Sequence, residues 1–166
     1  DMPGYSIGGL SVGESKTDMY RIAGKTADLL PNEKPRYLMG VGSPEDIVEN
    51  VANGIDMFDC VLPTRVARNG ALFTSKGRVN VNTSKFKGVD SSIDKDCRCY
   101  TCLRFSTGYL HHLFKAREYL AYRLASIHNI TFINNLIKDI REAIFSRKFH
   151  EFYDSFMANY VPASSS

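Results

Sequence analysis

The chain has 166 residues, 43% hydrophobic and 23% charged, with a formal net charge of +3, an ordinary balance for a soluble globular protein of one domain. No apolar run approaches the roughly 20 residues of a membrane span, and DMPGYSIGGL at the start lacks the charged and apolar regions of a signal peptide. The small positive charge permits a nucleic-acid partner without demanding one.

The first part of the chain alternates strand-like and helical runs. Gly4 to Gly9 is a strand candidate ending in glycines. Asp18 to Leu30 carries Met19, Ile22, Ala23, Ala27 and Leu30 at helical spacing, and Pro31 stops it. Arg36 to Val41 reads as a buried strand. Ser43 is a good N-cap, with Pro44 at the first helical position and Asp46 in the first turn, and Gly54 closes that helix. Ile55 to Leu62 is a third strand candidate. Such alternation implies parallel strands with right-handed crossovers. Three strands make a poor free-standing sheet of this kind, so the pattern fits the second part of a (β/α)8 barrel better than a complete domain.

Beyond Pro63 the character changes. Ala71 to Thr74 and Arg78 to Val81, around Ser75-Lys76-Gly77, read as an antiparallel hairpin. A polar stretch from Thr83 to Lys95 follows. From Leu110 the chain looks helical, with one stripe of Leu110, Leu113, Phe114, Leu120 and Leu124 and another of Phe132, Ile133, Leu136, Ile137, Ile140 and Ile144. Phe149, Phe152, Phe156 and Tyr160 suggest a last short helix, and 163–166 should fray.

Three of the four cysteines cluster in Cys97-Arg-Cys99-Tyr-Thr-Cys102, while Cys60 stands alone. A secreted disulfide scaffold is usually smaller and richer in cysteine, so clustering favours metal ligation in a reducing cytoplasm. Tetrahedral zinc needs a fourth ligand. His128, in the helical region that can pack over the loop, is the best candidate, with His111, His112 and His150 as competitors. A closed site of this kind is structural, one zinc per chain.

In Asp56-Met-Phe-Asp59-Cys60, strand alternation puts Asp56 and Cys60 on one face with Phe58, and Asp59 on the other with Met57. An acid near the C-terminal end of a barrel strand lies where such barrels hold their chemistry. It can attack an electrophilic sugar carbon, or it can cap a loop or pair with Arg65. Arg65 and Arg68 then sit on a loop suited to phosphate or base-edge contacts, and Lys76, Arg78, Lys85 and Lys87 extend the basic character. In Ile7-Gly-Gly-Leu-Ser-Val-Gly-Glu14, paired glycines let a flat ligand approach the backbone, and Glu14 is able to accept hydrogen bonds from ring N–H groups.

GGLSVGE at 8–14, PRYLMGVG at 35–42, GIDMFDCVLPTR at 54–65, RNG at 68–70, CRCYTC at 97–102 and His128-Asn129 together resemble the tRNA-guanine transglycosylase (queuine tRNA-ribosyltransferase) family, in order and spacing over nearly the whole chain. The resemblance implies an α/β fold: the C-terminal part of a (β/α)8 barrel with an inserted zinc-binding subdomain and C-terminal helices. It implies that Asp59 attacks C1′ of the wobble guanosine in a tRNA anticodon, expels guanine and holds a covalent ribosyl intermediate that the incoming base displaces. Gly8, Gly9, Leu10 and Ser11 would line the base pocket with Glu14 nearby, and Tyr37 and Met39 would pack on the base. Arg65 and Arg68 would contact the anticodon loop, and Cys97, Cys99, Cys102 and His128 would hold zinc. At position 12 the bacterial branch typically has Val, as here, which implies the small base preQ1 as the incoming group.

On this basis 1–70 is expected to be barrel, 71–130 hairpin and zinc subdomain, 131–162 C-terminal helices and 163–166 a tail. The family's first barrel half, with its acid/base aspartate, has no counterpart here, and the chain does not begin with Met. The chain is therefore expected to belong to a longer cytoplasmic enzyme, a homodimer in this family, and to be inactive alone. The alternative is a non-catalytic zinc-stabilised tRNA-binding subunit or module.

Overall fold

The computed structural model describes residues 2–162; the stretch 163–166, expected to fray, lies outside the described residues. The chain divides into two compact units, Asp1–Leu62 and Pro63–Ser166, each with its own apolar cluster. Among the described residues no helix is long and apolar enough to cross a membrane.

In the first unit the order is β1 (Tyr5–Ile7), α1 (Lys16–Asp28), β2 (Arg36–Met39), α2 (Pro44–Ala52) and β3 (Met57–Asp59). The strands form a parallel sheet in the order β1-β2-β3, with Leu38 opposite both Ile7 and Phe58, and Met39 opposite Asp59. Parallel pairing follows the expectation from alternation, but the strands are shorter than the apolar runs. Gly40 has φ +77°, a left-handed conformation that ends β2 before Val41. After β3 the chain turns at Cys60, whose Sγ accepts the Leu62 N–H at 3.3 Å, and Leu62 already begins the next helix. Gly42 lets that turn approach: a Cβ there would lie 2.3 Å from the Cβ of Cys60.

One sheet face is covered. Ile7 and Leu38 are buried with Val41, Ile55 and the α1 residues Met19, Ala23 and Ala27. Burying a leucine such as Leu38 contributes about 2 kcal/mol. The other face carries Tyr37, Met39, Met57 and Asp59, with Met39 45% and Met57 53% exposed. The caps are local. Ser15 accepts from the Asp18 N–H at 3.1 Å and starts α1 earlier than the apolar spacing suggests. Ser43 accepts from the Asp46 N–H with Pro44 in the first turn, as the sequence predicts.

The second unit begins within α3 (Leu62–Arg68) and continues with β4 (Ala71–Thr74), β5 (Gly77–Asn80), a 3-10 turn at Ser84–Phe86, α4 (Tyr100–Arg104), α5 (Thr107–Lys115), α6 (Tyr119–Phe145) and α7 (Phe149–Asn159). β4 and β5 pair antiparallel, with Leu72 opposite Val79. The loop expected for Arg65 and Arg68 is instead the short helix α3, which buries Pro63 and Ala67 on its other side. The helix α4 inside the cysteine segment was not expected, because only a few residues carry it. α6 is a single helix of 27 residues running through position 130. The core of this unit gathers Leu72, Val81, Leu110, Leu113, Phe114 and Leu124. Leu120 and Ile144, placed on the apolar stripes by spacing, stand exposed near the two ends of α6.

Candidate functional sites

Asp59 ends β3 and points from the open face of the sheet. Its Oδ1 accepts from the Tyr37 hydroxyl at 2.6 Å and from the Gly40 N–H at 3.2 Å. The strand register makes this possible: Tyr37 lies two residues before Met39, the direct neighbour of Asp59, on the same face. The Tyr37 hydrogen bond, then that of Gly40, holds the carboxyl below its ordinary range, and the same bond raises the Tyr37 hydroxyl. Both of these donors engage Oδ1, so the exposed, readily ionised Asp59 carboxyl is oriented through one oxygen. Tyr37, whose expected task was packing on a base, thus also orients this acid. Asp56 does different work: its Oδ2 accepts the Arg36 N–H at 2.8 Å and continues the β2–β3 pairing.

The loop after β1 is clamped by its own acid. Glu14 Oε1 accepts from the Ser11 N–H, and Oε2 accepts from the Val12 N–H at 3.1 Å. Hydrogen bonds from the backbone at Glu14 itself, Ser11 and Val12 hold its carboxyl below the usual range. Each oxygen thus accepts one N–H from the loop, and a carboxylate oxygen has a second lone pair to offer. Ser11 adopts φ +63°, left-handed for a residue with a side chain, and the Glu14 contacts hold it there. A Cβ on Gly8 would lie 3.3 Å from the Met39 sulfur, so Gly8 and Met39 are neighbours. Gly9, Ser11 and Val12 are exposed, Val12 at 80%, while Leu10 packs partly against the first unit's core.

Arg65 and Arg68 lie one helical turn apart on the exposed side of α3. Neither makes an ion pair with a described residue, so both guanidinium forks are available to an anionic partner. Lys76, Arg78, Lys85 and Lys87 of the same unit are also exposed.

The three clustered cysteines are free thiols and converge on His128. The ligand atoms of Cys97, Cys99, Cys102 and His128 all lie within 4.8 Å of one another. His128 Nδ1 is 3.8, 3.5 and 3.3 Å from the sulfurs of Cys97, Cys99 and Cys102. A tetrahedral zinc ion would separate sulfur and nitrogen ligands by about 3.6 Å, so the donor set fits a metal ion of that kind. The tautomer fits as well. His128 Nε2 lies 2.6 Å from the Phe73 carbonyl, which only accepts; a proton therefore sits on Nε2, and Nδ1, beside the three sulfurs, is the nitrogen that would give its lone pair to a metal. The competitors drop out by environment. His111 Nδ1 donates to the Val81 carbonyl at 2.7 Å, His112 is exposed, and His150 lies exposed beside Asp154.

Local structure builds the thiol loop. Cys99 is the N-cap of α4, its Sγ accepting the Cys102 N–H at 3.3 Å. Hydrogen bonds from Cys102 and Cys97 hold the Cys99 thiol far below its usual range. Thr101, fully buried, donates to the Leu124 carbonyl at 2.7 Å and ties α4 to α6. Asp94, also buried, accepts from the Ser75 N–H at 2.6 Å and the Asp96 N–H at 3.0 Å, tying the entry of the loop to the hairpin turn. Neither residue stands out in the sequence; Asp94, two positions before Asp96, reads only as part of a polar stretch.

A sequence model of one family, described as queuine tRNA-ribosyltransferase, matches residues 1–162. The chain is 53% identical over 164 residues to a queuine tRNA-ribosyltransferase of Dehalococcoides mccartyi, which covers 99% of this chain and 42% of that protein. It is 55% identical over 160 residues to those of Francisella tularensis subsp. novicida and Caldanaerobacter subterraneus subsp. tengcongensis, covering 96% of this chain and 44% and 43% of theirs. The chain thus spans less than half the length of these curated relatives.

Proposed function

Because this chain belongs to the queuine tRNA-ribosyltransferase family, we propose that it is the nucleophile-bearing part of a tRNA-guanine transglycosylase, a pentosyltransferase. The observation that carries this reading is Asp59: an exposed carboxylate at the end of a parallel strand, kept ionised and oriented by Tyr37 and Gly40. Asp59 Oδ2 attacks C1′ of the wobble guanosine as the glycosidic C–N bond breaks. The electron pair leaves with guanine, which takes up a proton as it departs. An incoming base, giving up its ring N–H proton to the donor that had protonated guanine, then attacks C1′ from the opposite face and displaces the carboxylate, so two inversions retain configuration. Gly8, Gly9, Leu10 and Ser11 line the base site, with Tyr37 and Met39 against the base and Glu14 shaping the loop through its backbone contacts. Arg65 and Arg68 take the anticodon loop.

In this reading the parallel strands belong to a (β/α)8 barrel whose interior is the face bearing Tyr37, Met39, Met57 and Asp59. Residues 1–70 are its C-terminal part, 71–130 the hairpin and zinc subdomain, and 131–162 the closing helices. Cys97, Cys99, Cys102 and His128 hold one structural zinc; the ion supplies a cross-link and no chemistry on the substrate. The enzyme is a cytoplasmic homodimer, and its incoming base is preQ1.

The test is covalent trapping of tRNA by the longer protein. The wild type should form an adduct stable to denaturant, and Asp59→Ala should form none while keeping its fold. An adduct that persists in Asp59→Ala removes Asp59 from the role. A wild type that binds tRNA without forming any adduct favours the non-catalytic subunit instead.

A further inference from the structure

We infer that Asn129 is a positioning residue: it transmits the constraint of metal ligation at His128 to the first turn of α3 and so holds the Arg65–Arg68 pair. The inference rests on the reading of those arginines as tRNA contacts.

Asn129 is fully buried in α6, directly after the fully buried His128. An asparagine inside a long helix does nothing for helicity, since its amide competes for backbone groups. Here that competition goes to other elements. Asn129 Oδ1 accepts from the Phe73 N–H at 3.0 Å, and its Nδ2 donates to the Ala71 carbonyl at 3.0 Å and the Pro63 carbonyl at 2.9 Å. The amide orientation is fixed by these partners, because two carbonyls require donors and one N–H requires an acceptor. Among the described residues β4 pairs only with β5. Its other edge would be open but for α6: His128 takes the carbonyl of Phe73 and Asn129 takes its N–H.

The third bond gives the arrangement its reach. Pro63 lies in the first turn of α3, a helix of seven residues. A helix that short does not hold itself in water. Its position depends on what grips it, here the buried Pro63 and Ala67 on the side opposite Arg65 and Arg68. A metal ion that fixes the ring of His128 fixes this stretch of α6, and through the neighbouring amide the start of α3.

The experiment is amide hydrogen exchange on this chain, metal-loaded and chelator-stripped, for wild type, Asn129→Asp and Asn129→Ala. Asn129→Asp keeps an acceptor for Phe73 but loses both donors. In wild type, stripping should speed exchange over 66–70 by at least about tenfold, with α7 little changed. The loaded Asn129→Asp protein should keep one metal equivalent and its β4–β5 protection, show the fast exchange at 66–70 already, and no longer respond there to stripping. Unaltered protection of 66–70 in the loaded variants overturns the inference. If neither variant folds, wild type decides: fast exchange confined to 96–103 on stripping, or a rise spread evenly through the second unit with α7 included, overturns it. Titrating Arg65→Ala and Arg68→Ala with tRNA tests the underlying reading separately, since their affinity has no bearing on the exchange pattern.

Discussion

Asp59 is the residue on which the proposed chemistry turns, and its ionisation is set by a partner 22 positions away in sequence. Removing the hydroxyl in Tyr37→Phe should let the Asp59 carboxyl rise toward its ordinary value of about 3.9. A carboxyl-resolved NMR titration of the chain reads this directly, and an unmoved midpoint would exclude Tyr37 as the cause. The sign follows from linkage: a depressed carboxyl adds stability above its unfolded value and loses it as pH falls through the folded one. Asp59 is exposed, so that contribution is screened, and the effect belongs in the titration and in the acid limb of the pH–rate profile, which should shift upward. Val12 poses a question of shape. Its side chain is 80% exposed and stiff at χ1, so it is not absorbed by the packing of the described residues. In the longer protein Val12→Gly should admit queuine, whose cyclopentenediol needs the vacated volume, while largely retaining preQ1. Equal use of both bases by the unaltered protein would remove Val12 as the discriminator.

The element that most depends on others is the thiol loop. It has one short helix, and its ends are held by the Asp94 carboxylate at the hairpin turn and by Thr101 on α6. Asp94→Ala should leave the four ligands in place but less organised, weakening metal binding about 10- to 100-fold in competition with a chromophoric chelator. An unchanged competition curve would show that the loop needs no such anchor. Metal analysis of protein purified without added zinc should find about one equivalent. Its affinity should fall as pH falls, because protons compete for the three thiolates and the Nδ1 lone pair. Folded protein containing no metal would contradict the assignment, as would Cys99→Ser leaving exchange over 96–103 unaltered.

At the scale of the whole molecule, the edges of the three-stranded sheet pair with no further strand among the described residues, and Met39 and Met57 on one face are half exposed. Such edges pair readily with other chains. The chain alone should therefore self-associate as its concentration rises in sedimentation experiments, and Met57→Lys should reduce this. A wild type that stays monomeric throughout would show that the face tolerates water. On the proposed reading the same chain should give no base exchange, because guanine leaves poorly without a proton donor and the acid/base aspartate that the family resemblance implies has no counterpart among these residues. Turnover by the chain, free of host enzyme, would refute that.

The sequence alone determined whatever depends on neighbours a few positions apart. The Ser43 cap with Pro44, the hairpin turn around Ser75-Lys76 (Gly77 itself begins β5) and the thiol spacing could all be read from it, because capping, turns and chelate loops close over short spans. The alternation of strands and helices pointed to parallel pairing for the same reason. Strand lengths were overestimated because an apolar run continues past the point where a left-handed glycine or a helix start ends the pairing, as at Gly40 and Leu62. The sequence favoured His128 among the histidines but not the reason for it: His111 and His128 are both buried in helices, and only the fold turns one toward the Val81 carbonyl and the other toward three sulfurs. The same holds for Tyr37 on Asp59, Asp94 on Ser75 and Asn129 on Pro63, separated by 22, 19 and 66 positions. These are hydrogen bonds from one side chain to a distant side chain or backbone group, with no periodicity to announce them. Tertiary packing alone brings such partners within 3 Å, by setting strand register and the docking of α6.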